Sequence, residues 1–491
     1  MKPATLSYLR STLLHLESKM NTDVAEHANV LKHLNEEQRI SGENLLHYLS
    51  LRSEDIRDLQ EALHNSGLSS LASSESHILH QIQLVLDRLG DKTPAAQKSS
   101  CDAAFGRNAI RNHTAQLFGQ KSNPAIPYLM VTFDSDFADD YRKVHQLVAA
   151  GMNVARINCA HDNQEVWEKM IANIHRAAAA TGQTCKIHID LAGPKLRTQI
   201  LGKGQKKERV EFDDNRIFFL AEPDFPIVDK QIVIGCTTPG IISQLRAGER
   251  VLFDDGLFEA RVENVRKGIA MMHLVRVSAK KPILKAEKGI NFPDTILNLA
   301  SLTDEDRAVL PFVVKHAHTI GYSFVSTPAD LKILQDLLHQ LHSKNTEIPS
   351  IILKIETPEA VKNLPALLLQ GMIERSFGVM IARGDLAVEI GFERMSEIQE
   401  EILWICEAAH VPVIWATQVL ENLNKSGIAT RSEVTDAAHA ALAECVMINK
   451  GSHTLQVIET LKDILQRSGG HHFKKTYSMR PLSIASRFMA R

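Results

Sequence analysis

From residue 128 onward the chain alternates short apolar runs with amphipathic stretches, and this alternation constrains its fold more than any other feature. The spacing predicts strands at Tyr128–Phe133, Val154–Cys159, Lys186–Leu191, Tyr322–Ser326, Ser350–Ile355, Gly378–Ala382, Val411–Ala416 and Cys445–Asn449. Helical periodicity follows most of them, at Tyr141–Ala150, Glu165–Ala180, Ala329–His342, Glu359–Gln370, Met395–His410, Glu433–Ala443 and Thr454–Arg467. Parallel strands need crossover connections and bury both faces under helices. Eight such units therefore predict an α/β chain folded as a (β/α)8 TIM barrel.

Two regions depart from this texture. Residues 199–285 show strand and turn signals in place of helical periodicity, as in Val210-Glu211-Phe212, Asp213-Asp214-Asn215 and Arg261–Val265. They read as a small β domain inserted in a barrel loop. Asp254-Asp255-Gly256 and Lys288-Gly289-Ile290-Asn291 serve as its hinges, so that it can act as a lid. Residues 1–124 read as an α-helical N-terminal region followed by a linker, with 91–125 as a linker or loosely packed arm. The expected division is thus 1–124, a barrel of 125–198 and 286–470, a lid of 199–285, and a tail of 471–491 that is basic and either an anchor or a frayed end.

Bulk properties exclude several classes. The 491 residues carry a net charge of -2, which implies no nucleic-acid partner. No apolar run approaches the roughly 18 residues of a membrane span, and the N-terminus lacks a signal-peptide core. The six cysteines are scattered without metal spacing, which fits a reducing, cytoplasmic setting.

The chemistry gathers where the predicted strands end. In Ser350–Thr357 the apolar run closes on Lys354 and Glu356, two positions apart and so on one face of a strand. Alone, the pair is equally a buried salt bridge or part of a site for an anion and a metal. In a TIM barrel reactive residues sit at the C-terminal ends of the strands. Those ends supply Arg156, Asn158 and His161; Asp190, Gly193-Pro194-Lys195 and Arg197; Ser323 and Ser326; Lys354 and Glu356; Arg383-Gly384-Asp385; and Thr417-Gln418. Cations and carboxylates on one rim favour the anion-plus-metal reading. Glu356 and Asp385 are hard ligands suited to Mg²⁺ or Mn²⁺, and Arg156, Lys195, Arg197 and Lys354 would neutralise a phosphate. Phosphoryl transfer asks mainly for such positioning and electrostatics.

These segments resemble the pyruvate kinase family. Gly151–His161 is similar to its G-M-N-V-A-R-x-N-x-S-H segment, and Asp190–Thr198 to D-x-x-G-P-K/E-x-R-T. Ile351–Glu356 carries the lysine–glutamate signature, while Ala382–Leu386, Ala416–Leu420 and Thr430–Glu433 resemble A-R-G-D-L, A-T-Q-M-L and T-R-A-E. The resemblance covers roughly residues 128–450 and implies transfer of the phosphoryl group of phosphoenolpyruvate to ADP, giving pyruvate and ATP. It implies that Arg156 contacts the transferring group and Lys354 stabilises its charge, with Glu356 and Asp385 holding Mg²⁺. Gly384 and Thr417 would hold the substrate carboxylate, and Thr417 would belong to the protonating relay. Asn158, His161 and Arg197 would serve the nucleotide side under the lid.

In many relatives a monovalent cation sits between Asn158, a serine, Asp190 and the following carbonyl. Here the serine is Ala160, and position 195 is a lysine whose ammonium is expected to replace the ion, so K⁺ is not required. Other motifs are altered. The first-strand T-x-G-P-x-S is reduced to Thr132–Asp136, strand four has Ser326 in place of an arginine, and the strand-eight segment is shortened to Val446–Thr454. The family's α/β C-terminal domain has no counterpart in this sequence, so its sugar-phosphate regulation is expected to be missing. A homo-oligomer held by the N-terminal helices is compatible with that loss. Two alternatives stay open: a phosphoenolpyruvate-binding regulatory protein of little or no activity, and a lyase or aldolase using a Mg-enolate site on the same barrel.

Overall fold

The structure, a computed structural model, describes residues 6–469 except 93, 95–97, 122, 204, 213–215, 224, 227–230, 343–346 and 375, together with 472–473 and 476–477. The turn expected at Asp213-Asp214-Asn215 and most of the tail from Lys474 lie outside the described residues. Within the tail, His472–Phe473 and Thr476–Tyr477 pair as a short antiparallel ladder.

Eight parallel strands close into a barrel: Tyr128–Thr132, Val154–Asn158, Lys186–Asp190, Thr319–Tyr322, Ser350–Ile355, Gly378–Ala382, Val413–Ala416 and Cys445–Ile448. Seven of the eight overlie the expected segments. The fourth is displaced: the chain pairs at Thr319–Tyr322, whereas the sequence suggested Tyr322–Ser326. The more apolar Phe324-Val325 attracted the assignment, yet Phe324 adopts φ 55°, which no strand residue does. The helix expected at Glu359–Gln370 breaks at Asn363 into Pro358–Lys362 and Leu364–Gly371, because Pro365 restarts it.

Alternate residues of each strand fill the barrel. Tyr128, Met130, Val154, Ile352, Met380, Ile414, Cys445 and Met447 form its apolar lower part. Its underside is closed by a helix, Ala103–Phe118, lying within the stretch expected as a linker. Asp102 caps that helix by accepting from the Phe105 N–H at 2.7 Å, and Gly119 ends it at φ 85°. Leu117 and Phe118 join the barrel's interior cluster, and the Tyr128 hydroxyl donates to the Gly119 carbonyl at 2.7 Å.

The preceding helices, Leu6–Glu26, Glu36–Arg52, Arg57–Asn65 and Ile78–Arg88, share one continuous core with the barrel. The seam runs along the end of the barrel helix Phe392–Ala408. Asn44 donates to the carbonyls of Ala408 and Glu75, each at 2.8 Å, and accepts from the Ile78 N–H. His410 meets Ser41 and the Ser76 carbonyl, each at 2.9 Å.

The insertion has its own core. A seven-stranded sheet runs from Thr198–Ile200 to Ile290–Asn291, curled around Phe218, Phe253, Phe258 and Met272. Where it rejoins the barrel, its outgoing and returning chains pair: the Thr198 N–H donates to the Lys288 carbonyl at 2.8 Å and the Ile290 N–H to the Leu196 carbonyl at 2.9 Å. Asp254-Asp255-Gly256, expected as a hinge, is instead the turn between the strands Arg250–Phe253 and Phe258–Arg266 of the insertion, and it rests on the returning chain through Lys288, 2.9 Å from Asp254. The architecture is a TIM barrel bearing a nearly closed small β barrel and preceded by N-terminal helices.

Candidate active site at the barrel rim

Register assembles the centre of the site. Strand two sets Arg156 beside His188 and Asn158 beside Asp190 of strand three, and strand four sets Thr319 and Gly321 beside the same pair. One layer above the apolar filling, the barrel therefore holds ionised groups. Arg156 grips Asp190 Oδ2 through Nε at 2.8 Å and Nη2 at 2.5 Å, and its Nη1 donates to Thr132 Oγ1 at 2.9 Å. Lys354 Nζ lies 2.9 Å from Glu356 Oε1 and 3.6 Å from Asp190 Oδ2, and donates to Ser323 Oγ at 2.7 Å. Glu356 Oε2 accepts from the Phe324 N–H at 2.7 Å. The unusual backbone of Phe324 thus serves to aim that N–H at the carboxylate.

Charge balance keeps these buried groups ionised. Burial alone would raise the Asp190 pKa, but Arg156, then Lys354 and His188, hold it well below the carboxylate range. Burial would lower the Lys354 pKa, and Asp190 and Glu356 reverse this and raise it. Burial pushes the Glu356 carboxyl up and Asp385 adds to that push, against Lys354. Two carboxylates repelling each other at the rim, one nearly dry, make an arrangement that a divalent cation would relieve. Among the described residues no cluster of three histidines, cysteines or carboxylates could hold a metal alone. A two-carboxylate site fits Mg²⁺, which keeps waters and takes its other ligands from substrate.

The remaining rim residues fall around this centre. Asp385 sits in the first turn of the helix Arg383–Ile390, and Lys195 Nζ lies 3.6 Å from its Oδ1. A side chain at Gly384 would meet Thr417 Oγ1 at 2.9 Å, so the open backbone of Gly384 faces the threonine hydroxyl. Arg383 stacks on Trp415 with its guanidinium 4.4 Å from the ring centroid, and donates to the Ala416 and Thr417 carbonyls and to Asp436. Asn158 Oδ1 accepts from the Ala160 N–H at 3.0 Å. The His161 pKa is lowered by burial, then by the charges of Lys450 and Arg197. Arg197 stands at the lid junction and donates to the Glu287 carbonyl at 2.9 Å. The Ser326 N–H donates to Asp330 Oδ2 at 3.2 Å and its hydroxyl to the Phe324 carbonyl at 3.3 Å.

Sequence reasoning missed several partners. Thr132 was hidden in an altered motif, yet its hydroxyl meets Arg156. His188, Thr319 and Gly321 lie inside strands and carried no signal of their own. Glu389 accepts from Asn291 Nδ2 of the lid's returning strand at 2.7 Å and was likewise unmarked.

Fold and rim together define a lidded TIM-barrel protein whose mouth is lined by alternating cations and carboxylates. Residues 130–455 match the family described as pyruvate kinase, barrel domain. The chain belongs to the pyruvate kinase family. The pyruvate kinase of Geobacillus stearothermophilus is 33% identical over 335 residues, covering 66% of this chain and 54% of that protein. That of Thermotoga maritima is 31% identical over 337 residues, covering 67% and 68%. The crystal structure of a pyruvate kinase from Cryptosporidium parvum superposes with a TM-score of 0.63 at 26% identity, covering 73% of this chain and 70% of that one. The chain spans 54–55% of the length of the first two curated relatives it matches.

Proposed function

We propose that this chain transfers the phosphoryl group of phosphoenolpyruvate to ADP, yielding pyruvate and ATP, with Mg²⁺ or Mn²⁺ and without K⁺. The observation that carries the reading is the buried ammonium of Lys354, held by Asp190, Glu356 and Ser323. A structural ion pair needs one carboxylate; this lysine is fixed by two and kept charged beside an arginine.

In this reading Arg156 and Lys354 face the phosphoryl group and stabilise its charge as the bond to the enol oxygen breaks and the bond to the ADP β-phosphate oxygen forms. First-turn N–H groups around Gly384 and the Thr417 hydroxyl hold the substrate carboxylate. The enolpyruvate that leaves then takes a proton at its methylene carbon, through a relay that includes Thr417. Glu356 and Asp385 would hold the divalent ion, which supplies charge neutralisation to the substrate oxygens. Asn158, His161 and Arg197 serve the nucleotide phosphates beneath the lid, and Lys195 stands in for a monovalent cation. A cytoplasmic location accompanies this activity, and all six cysteines are free thiols.

The test is pyruvate release from phosphoenolpyruvate and ADP with Mg²⁺ in a buffer free of K⁺ and Na⁺. Turnover should fall at least about a hundredfold in Lys354→Met, the scale of losing one electrostatic donor. Phosphoenolpyruvate binding without turnover, after K⁺ and other diphosphates are tried, would replace the kinase reading with a regulatory one.

A further inference from the structure

His188 is completely buried inside the barrel, beneath the rim and outside every motif discussed above. Its Nε2 lies 2.7 Å from Asp190 Oδ1 and its Nδ1 lies 2.9 Å from Thr319 Oγ1. An ionised carboxylate only accepts, so Nε2 carries the hydrogen of that bond. Asp190 Oδ2 is already engaged by two nitrogens of Arg156. Each carboxylate oxygen is therefore held from a different side, Oδ1 by the imidazole and Oδ2 by the guanidinium.

The neighbouring strand is cut to fit this pair. A Cβ on Gly321 would stand 1.7 Å from Asp190 Oδ1 and 2.9 Å from His188 Nε2, closer than any side chain can approach. The φ of Gly321 is not in the left-handed region, so the glycine answers a demand for space and not for backbone freedom. A buried imidazole, a hydroxyl directing it and a missing side chain converge on one carboxylate oxygen.

We infer that His188 is a positioning residue for phosphoryl transfer: oriented by Thr319, it fixes the Asp190 carboxylate, which in turn fixes the Arg156 guanidinium against the substrate phosphate. The inference rests on the kinase reading for its effect on turnover, but not for the Thr319–His188–Asp190–Arg156 chain itself. Without the imidazole, the Asp190 carboxylate can rotate about its last bond and the guanidinium it carries loses its aim. Outer partners of this kind commonly change function about ten- to a hundredfold.

The test compares His188→Leu, which fills the space without a donor, with His188→Gln, whose amide N–H reaches toward Oδ1. Thr319→Val is a milder variant that removes only the hydroxyl. With thermal melting as the folding control, kcat for phosphoenolpyruvate and ADP should fall about ten- to a hundredfold in His188→Leu, with KM for ADP unchanged. His188→Gln should recover most of the loss, and Thr319→Val should show a partial one. Independently of turnover, the Arg156 Nε–H, observed by NMR after arginine labelling, should exchange faster with solvent in His188→Leu and Thr319→Val and regain protection in His188→Gln. Undiminished kcat with undiminished protection in Thr319→Val and His188→Leu would overturn the inference, as would a Gln variant no better than Leu. If the wild type turns over no phosphoenolpyruvate, the kinase reading fails and the exchange measurement alone decides the role of His188.

Discussion

At the scale of single residues the site is a problem in keeping charges dry. Asp190, Lys354 and Glu356 are all at least nine-tenths buried, so each needs a partner, and the barrel register supplies one for each. Lys195 is different, since it is partly exposed and pairs with Asp385 at 3.6 Å. If its ammonium replaces a monovalent cation, Lys195→Glu alone should lose activity at any K⁺ concentration, because Ala160 offers no hydroxyl ligand. The double variant Lys195→Glu with Ala160→Ser should regain activity at least about tenfold on addition of K⁺, as assayed by pyruvate release. Equal activation of the unchanged protein by K⁺ would refute the idea.

Elements explain what could be read in advance and what could not. Lys354 and Glu356 were legible because a lysine and a glutamate close an otherwise apolar strand. His188 was not, because one histidine in an alternating strand looks like ordinary core until its register with Thr319 and Gly321 is known. Strand four was misplaced because its four residues include that glycine, while apolar Phe324-Val325 lies just beyond. The Ala103–Phe118 helix escaped notice because its buried face includes Gly106, His113 and Thr114 and so shows no clear apolar stripe, although Asp102 and Gly119 were valid cap signals. Leu117→Ala should cost about 2–5 kcal/mol in denaturant unfolding, since a cavity would open in the barrel floor. A second element-scale prediction concerns pH. Burial pushes the Glu389 carboxyl up to about 7, with the nearby charge of Asp385 adding to the shift and Asn291 opposing it. The folded state therefore holds this proton more tightly than the unfolded one. Its contribution to stability is present below the ordinary glutamate range and is lost as pH rises through about 7. Glu389→Gln should flatten the decline in melting temperature between about pH 5 and 8.

At the scale of the whole molecule, among the described residues, one apolar cluster spans the N-terminal helices and the barrel, a second fills the barrel interior, and a separate one belongs to the inserted domain. Calorimetry should therefore resolve a main transition and a separate one for the insertion. Asn44→Ala should lower the main transition by about 1–3 kcal/mol, because it strips a partner from the buried carbonyl of Ala408, from the part-buried one of Glu75 and from the Ile78 N–H, and should leave the other in place. The helical character of the first hundred residues was visible as periodicity. Their union with the barrel was not, since it depends on Asn44 meeting Ala408 across 364 positions of chain and on His410 meeting Ser41 across 369.

The insertion's two chain crossings lie side by side and bond to each other, Thr198 to Lys288 and Ile290 to Leu196. A body joined to another through one such paired edge has, in mechanical terms, a door's single axis. Asn291, on the leaf of that door, touches Glu389, one turn along from Asp385 in the doorframe. On the proposal that Asp385 is offered to a metal, a displacement of the insertion would be transmitted to that carboxylate through Asn291, Glu389 and the helix that Glu389 shares with it.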